Sequence, residues 1–305
     1  MAGSFQLTEA EQRALPSEQD IAFYRSHGWF LTPPLLSPQE IADVVRASES
    51  FYRGERDRVL PGRLPGNAYW QPGHGDVQRH NDYIAYESDT VRRILCKPLI
   101  GAMAARLMDT PAVRLWSSTL IYKPAQADEP SNVVPWHIDR HHWQTCTSDE
   151  LITAFVPLHD CDEANGTLTV LDGSHTWRDI PPQPGDDPTC HFAERPAEAL
   201  DTAVAAAASR NGASFRQVPL RYRAGQMSFH HCRTYHSSGP NLSGRPRLVV
   251  TIRFQDHRNT WRPATTPVGE PVVYSHDMLV RRTAQGHPDY SDPEFCPLLW
   301  AQPKA

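Results

Sequence analysis

Between Val113 and Phe254 the chain consists of short β-prone runs separated by turn residues, and this spacing limits the fold more than any other feature. The runs are Val113–Tyr122, Val133–Trp136, Leu151–Leu158, Leu168–Leu171, Arg216–Tyr222, Gln226–Phe229 and Leu248–Phe254. Several short strands at such intervals predict a sandwich or barrel. An Ala-rich stretch, Pro196–Ser209, interrupts them and reads as a helix in an insertion. The first hundred residues follow a helical period instead. Ser17-Glu18-Gln19-Asp20 caps a turn carrying Ile21, Phe23 and Tyr24 that ends near Gly28, and Ser37-Pro38-Gln39-Glu40 fits a capping box ahead of Ile41, Val44 and Val45. A third helix is predicted over Asp89–Met108, and the Gly- and Pro-rich Pro61–Gln78 reads as a loop. The whole is mainly β with flanking helices, in one domain over residues 1–305: helical support at about 17–110, a core at about 113–256, and a tail at 257–305 that wraps the barrel or covers its mouth.

Composition narrows the function by exclusion. A net charge of −5 with scattered Lys and Arg leaves no basic footprint for nucleic acid. No run reaches the roughly 18 apolar residues of a membrane span, and the amino terminus has no signal-peptide pattern, so a cytoplasmic location is expected. The six Cys form no Cys-x-x-Cys pair and read as reduced thiols. Only three of the 30 basic residues are Lys, a bias that points to a GC-rich bacterial genome.

The chemistry concentrates in two segments. Pro135-Trp136-His137-Ile138-Asp139-Arg140 carries a His-x-Asp pair, and two positions apart on a strand both side chains share one face. About a hundred residues later comes Tyr235-His236-Ser237-Ser238-Gly239-Pro240-Asn241. A His-x-Asp pair with one distant His is the ligand set of the 2-His-1-carboxylate facial triad, which holds ferrous iron and leaves an open face. His230 and His231 compete with His236 for the third position. His236 is preferred because the residues after it supply groups suited to a co-substrate. Arg247 opens the apolar run Leu248–Ile252, where a buried guanidinium is costly unless a carboxylate pairs with it. Ser238 falls on the His236 side and could donate a second hydrogen bond to that carboxylate.

Together these segments resemble the phytanoyl-CoA dioxygenase family of Fe(II)/2-oxoglutarate-dependent oxygenases. The likeness covers His137-Ile138-Asp139, the strand and acidic turn from Val156 to Asn165-Gly166, Leu171-Asp172-Gly173-Ser174-His175, and His236 through Asn241 with Arg247, within a span of about 21–254. Asp172 stands where the family has Pro, and Asn165-Gly166 reads as a hairpin turn. The resemblance implies a double-stranded β-helix (jelly-roll) core, with His137, Asp139 and His236 as iron ligands. It implies that Arg247 binds the distal carboxylate of 2-oxoglutarate with help from Ser238, and that Phe155 and Thr119 contact the co-substrate. O2 is then the second co-substrate, and a small bacterial metabolite the substrate. No Lys/Arg cluster offers a handle for coenzyme A phosphates. Asp139 occupies the position that related halogenases vacate for chloride, so hydroxylation is expected over halogenation.

His141 and Trp143, with His142 and Gln144, follow the first ligands and are candidate substrate contacts, as are Trp70, Gln78, Tyr83 and Tyr86. Two rivals stand beside hydroxylation: an iron-dependent epimerase, desaturase or cyclase on the same scaffold, and a non-catalytic metal-binding β-barrel module. The oligomeric state is not legible in the sequence.

Overall fold

The computed structural model describes residues 5–61, 70, 72–125, 133–178, 180, 197–266 and 268–302. Helix α1 (Glu9–Ala14) is followed by α2 (Glu18–His27), which begins at the predicted box: the Ser17 and Asp20 side chains each accept from the other's amide. It stops at Gly28, whose φ of +77° and a virtual Cβ 2.4 Å from His175 Nδ1 leave room for no other residue. Strand β1 (Trp29–Leu31) leads to α3 (Pro38–Tyr52), where Ser37, Glu40 and Pro38 repeat the capping device. Then come β2 (Arg79–Asp82), α4 (Ile84–Glu87), α5 (Asp89–Leu95) and α6 (Pro98–Leu107). The single helix predicted over Asp89–Met108 is therefore two. Pro98 forces Lys97 into extended backbone (φ −66°, ψ 153°), so the first helix ends and a second starts with Pro98 in its first turn.

Strands β3 (Ala112–Lys123), β4 (Val134–His137), β5 (Leu151–Pro157) and β6 (Leu168–Leu171) match the predicted runs closely. The Ala-rich stretch is α7 (Ala197–Arg210). Strands β7 (Gln217–Pro219), β8 (Ser228–His231), β9 (His236–Ser238) and β10 (Arg247–Asp256) precede α8 (Ser275–Leu279) and β11 (Leu298–Ala301) in the tail. The run Arg216–Tyr222 shrinks to three paired residues in β7. Asn165-Gly166 is not a two-residue hairpin: Glu163–Asn165 forms a 3-10 turn capped by Asp162, and Gly166 ends it with φ +71°.

Seven strands form one sheet, β1-β8-β5-β10-β3-β11 with β2 also on β3, and the second sheet runs β4-β9-β6-β7. Period-two alternation sorts the large sheet into two faces. Ile152, Ala154 and Val156 of β5, Phe229 of β8, and Val250, Ile252 and Phe254 of β10 join α3, α5 and α6 in one apolar core. The intervening Thr153 and Phe155, Ser228 and His230, Arg247, Thr251 and Arg253 turn to the other side, toward the small sheet. Each large apolar side chain buried on the helical face contributes about 1.5–3 kcal/mol. That core offsets the polar groups the opposite face must carry.

The tail packs along the edge of the large sheet. Its β11 pairs with the start of β3, and Leu279, Val280, Tyr290 and Phe295 pack with Tyr83, Trp116 and Trp143 in a second cluster. His276 lies within it, 4.0 Å ring to ring from Trp116, its Nε2 3.1 Å from Cys296 Sγ. Among the described residues all five cysteines are free thiols, and no helix is long and apolar enough to cross a membrane.

Burial lowers His276 to about 3, below the roughly 6.5 of an exposed imidazole. As pH falls below about 6.5 the unfolded chain takes up a proton that the native state refuses, so stability is lost toward pH 3 and retained above 6.5. Denaturant midpoints should fall over pH 6.5 to 4. His276→Phe should flatten that slope by up to about 1.4 kcal/mol per pH unit, a change that equilibrium unfolding at several pH values would measure.

Candidate metal centre

The two halves of the motif meet through backbone pairing. Strands β4 and β9 are antiparallel neighbours, and His137 is directly opposite His236. Their rings lie 4.0 Å apart, centroid to centroid. Asp139 lies just past the strand, opening the 3-10 turn Asp139–His142 rather than continuing β4. The intervening Ile138 stays extended (φ −117°, ψ 138°), so the same-face relation survives, and Ile138 itself packs into an apolar cluster with Trp136 and Tyr235. One ligand atom each from His137, Asp139 and His236 lies within 4.8 Å of the others, all three residues are buried, and among the described residues only this group could hold a metal ion.

The tautomers suit that role. His137 Nδ1 is 2.9 Å from the Pro135 carbonyl and His236 Nδ1 is 2.9 Å from the Thr234 carbonyl. A carbonyl can only accept, so each Nδ1 carries the proton and each Nε2 keeps its lone pair. Burial, reinforced by His236, holds His137 well below the usual imidazole range; burial and the nearby His230 bring His236 down to about 4. Burial alone would raise Asp139, yet the approach of His230 and the positive potential of His236 and Arg253 hold it well below the carboxylate range. Near neutral pH the set is two neutral imidazoles and one carboxylate, ready for a divalent ion.

A cavity of about 60 Å³ opens on this group. At one end Arg247, 1% exposed, donates to the Gly166 carbonyl and, at 3.1 Å, to Ser238 Oγ. Lys123 is paired with Arg247 across β3 and β10, fully buried, its Nζ 2.6 Å from the same hydroxyl. Ser238 in turn donates to Gly166 at 3.0 Å, so its hydroxyl is fully used. Burial lowers Arg247 to about 10, and burial with the Arg247 charge lowers Lys123 well below its ordinary value. Among the described residues no carboxylate pairs with either cation. Ile121, Val134, Phe155 and Leu168 wall this end, and Phe155 lies 5.7 Å from the guanidinium carbon.

The other predicted positions divide. Thr119 sits one layer behind the cavity, donating to Asp82 and accepting from Arg253 at 2.6 Å. Trp143 and Tyr83 do not line the cavity; they are buried in the cluster under the tail, where large rings serve as core. His141 is half-buried in the turn after Asp139 and is also absent from the lining. Trp70 covers Arg79, Tyr86 donates to Glu294, and Gln78 reaches the cavity only through its bond to His80. Of the rival histidines, His231 turns toward Glu150 and His175, whereas His230 faces the cavity. The sequence reading missed Thr153, Thr251, Arg253, Lys123 and His80. Strand parity with Phe155 and Arg247 signals the first three; His80, on an isolated short strand, had no such signal.

A buried two-histidine, one-carboxylate set facing a cavity between two sheets is a ligand set suited to a divalent metal, and comparison with known proteins places it in an oxygenase. The phytanoyl-CoA dioxygenase (PhyH) family profile matches residues 24–249, and the chain belongs to that family. It is 27% identical to ectoine dioxygenase of Bordetella parapertussis over 82% of this chain and 78% of that one. It is 26% identical to peroxisomal phytanoyl-CoA dioxygenase of Bos taurus over 83% and 72%. Among solved structures, the epimerase SnoN in complex with Fe3+, alpha ketoglutarate and nogalamycin RO superimposes with a TM-score of 0.65 at 26% identity, over 95% of this chain and 99% of that one. Apo EctD from S. alaskensis shares the fold at a TM-score of 0.62 and 19% identity, over 84% and 82%.

Purified metal-free, the protein should bind one divalent ion per chain. His137→Ala, Asp139→Ala and His236→Ala should each abolish binding while retaining the fold, read by Co(II) titration and circular dichroism.

Proposed function

We propose that the chain is an Fe(II)- and 2-oxoglutarate-dependent dioxygenase that hydroxylates an unactivated C–H of a small bacterial metabolite. We read the two facing sheets as a jelly-roll core within one oxygenase domain. The observation that carries this is the pairing of two features in one cavity: the buried His137, Asp139 and His236 set, and, at the other end, the buried Arg247, which no carboxylate among the described residues neutralises. Two imidazole nitrogens and one carboxylate oxygen suit ferrous iron with open positions. When bound, iron and 2-oxoglutarate supply O2 activation, with succinate and CO2 released.

The chain's own residues do the rest. His137 and His236 present Nε2 because their Nδ1 protons are tied to backbone carbonyls. Arg247 offers a rigid, desolvated guanidinium to a carboxylate, and Lys123 adds positive potential behind it. Ser238 holds both cations in place; to donate to a carboxylate it would have to release Gly166. Phe155 and its apolar neighbours exclude water from that end, which strengthens the ion pair. Thr119 acts through Arg253 rather than by contact.

With Fe(II) and 2-oxoglutarate the protein should consume O2 and release succinate; absence of both with every candidate substrate would refute the reading. Arg247→Met should weaken 2-oxoglutarate binding by about 1.5–3 kcal/mol, roughly ten- to a hundredfold or more in KM, with metal binding retained.

A second reading is favoured by the SnoN likeness, which spans nearly both chains. In this reading the same site inverts a stereocentre without inserting oxygen. Mass spectrometry separates the two: hydroxylation adds one oxygen atom to the product, and epimerisation leaves its mass unchanged.

A further inference from the structure

One imidazole in the cavity is not needed for the metal set. His230 is 1% exposed and lines the cavity beside His236, 4.3 Å from it ring to ring. Among the described residues neither of its ring nitrogens makes a well-aligned hydrogen bond. Burying an imidazole in this state costs about 1–3 kcal/mol per unsatisfied polar group, and a Phe on this strand would fill the same space without that cost. The polar atom within its reach is Asp139 Oδ2, 3.5 Å from Nε2.

The same oxygen accepts from the Thr153 hydroxyl at 2.6 Å. This convergence is built into the sheet: His230 is paired with Thr153, and Thr153 with Arg253, so the three form one rung across β8, β5 and β10. The other oxygen, Oδ1, is the one that faces His236, 3.9 Å from Nε2.

We propose that His230 is a positioning residue for Asp139: its Nε2–H and the Thr153 hydroxyl both occupy Oδ2, so the carboxylate meets the metal through Oδ1 alone. A carboxylate free to swing would have to give up that freedom on binding, which would weaken the site. Held at Oδ2, it would offer Oδ1 to a divalent ion. The inference rests on the metal centre proposed above and adds to it a device that keeps the carboxylate monodentate.

The test uses the full chain, metal-free, as wild type, His230→Phe, His230→Asn and His230→Gln, with Co(II) as the probe. Phe and the shorter Asn both remove the donor from Oδ2, while Gln can still extend an N–H toward it. His230→Phe and His230→Asn should bind Co(II) about 10–100-fold more weakly, and His230→Gln should recover most of the loss. X-ray absorption at the metal should count two imidazoles in wild type and variants alike. Circular dichroism melts of the metal-free proteins show which variants fold, and either the Phe or the Asn form suffices. Wild-type Co(II) affinity in a folded Phe or Asn variant overturns the assignment, as does a wild-type count of three imidazoles falling to two, which would make His230 a ligand. A wild type that binds no Co(II) overturns the metal centre itself, a distinct result.

Discussion

The antiparallel pairing of β4 with β9 is the constraint on which the site depends. It is a short contact, yet it sets His137 opposite His236 and Val134 opposite Ser238. The same few hydrogen bonds therefore fix two ligands and the hydroxyl that organises the cationic end. A slip of one residue would turn every side chain to the other face and leave one imidazole pointing outward. Register is protected on both sides of β9, because β6 pairs with it as well and is itself fixed by Leu168 and Val170 packing with Ile121, Phe155 and Val249 of the large sheet.

The large sheet does the complementary work, and its two faces divide the energetics. The helical face is almost wholly apolar, with Val250, Ile252 and Phe254 fully buried against α5 and α6. That stability lets the inner face hold what a globular core ordinarily rejects: Arg247, Lys123, His230 and Thr251 within a few strand positions. Among the described residues Thr251 Oγ1, Arg247 Nε and His230 Nδ1 are buried without a hydrogen bond, and all three residues line this cavity.

What could be read from the sequence follows the same division. Strands β3, β5 and β10 were legible because long runs rich in β-branched residues carry their own signal, short β4 and β6 because turn residues bracket an apolar run, and the capped starts of α2 and α3 because Ser-x-x-Asp and Ser-x-x-Glu are local chemistry. Strands β1, β2, β9 and β11 were not, since three or four residues become a strand only through a partner distant in the chain. The triad was legible because few residue types can bind a metal. Trp143 and Tyr83 misled for the converse reason: an aromatic beside a ligand has the same letters whether it lines a pocket or fills a core, and here the tail buries both. Part of the predicted loop, residues 62–69 and 71, lies outside the described residues.

The distribution of charge along β10 ties these observations to chemistry. Arg247 and Arg253 share the inner face of one strand, six residues apart, with the metal set facing the cavity between them. Among the described residues Arg247 has no carboxylate partner, whereas Arg253 is held by Thr119, itself anchored on Asp82. A single strand thus presents one guanidinium held by Gly166 and Ser238 at the end walled by Phe155 and another held by Thr119 beside Asp139. Of the two, Arg247 is the more deeply buried, so an anion beside it is attracted more strongly. In the function proposed above, the Arg247 end receives the far carboxylate of 2-oxoglutarate, and the end beside Asp139 is left to the metal set.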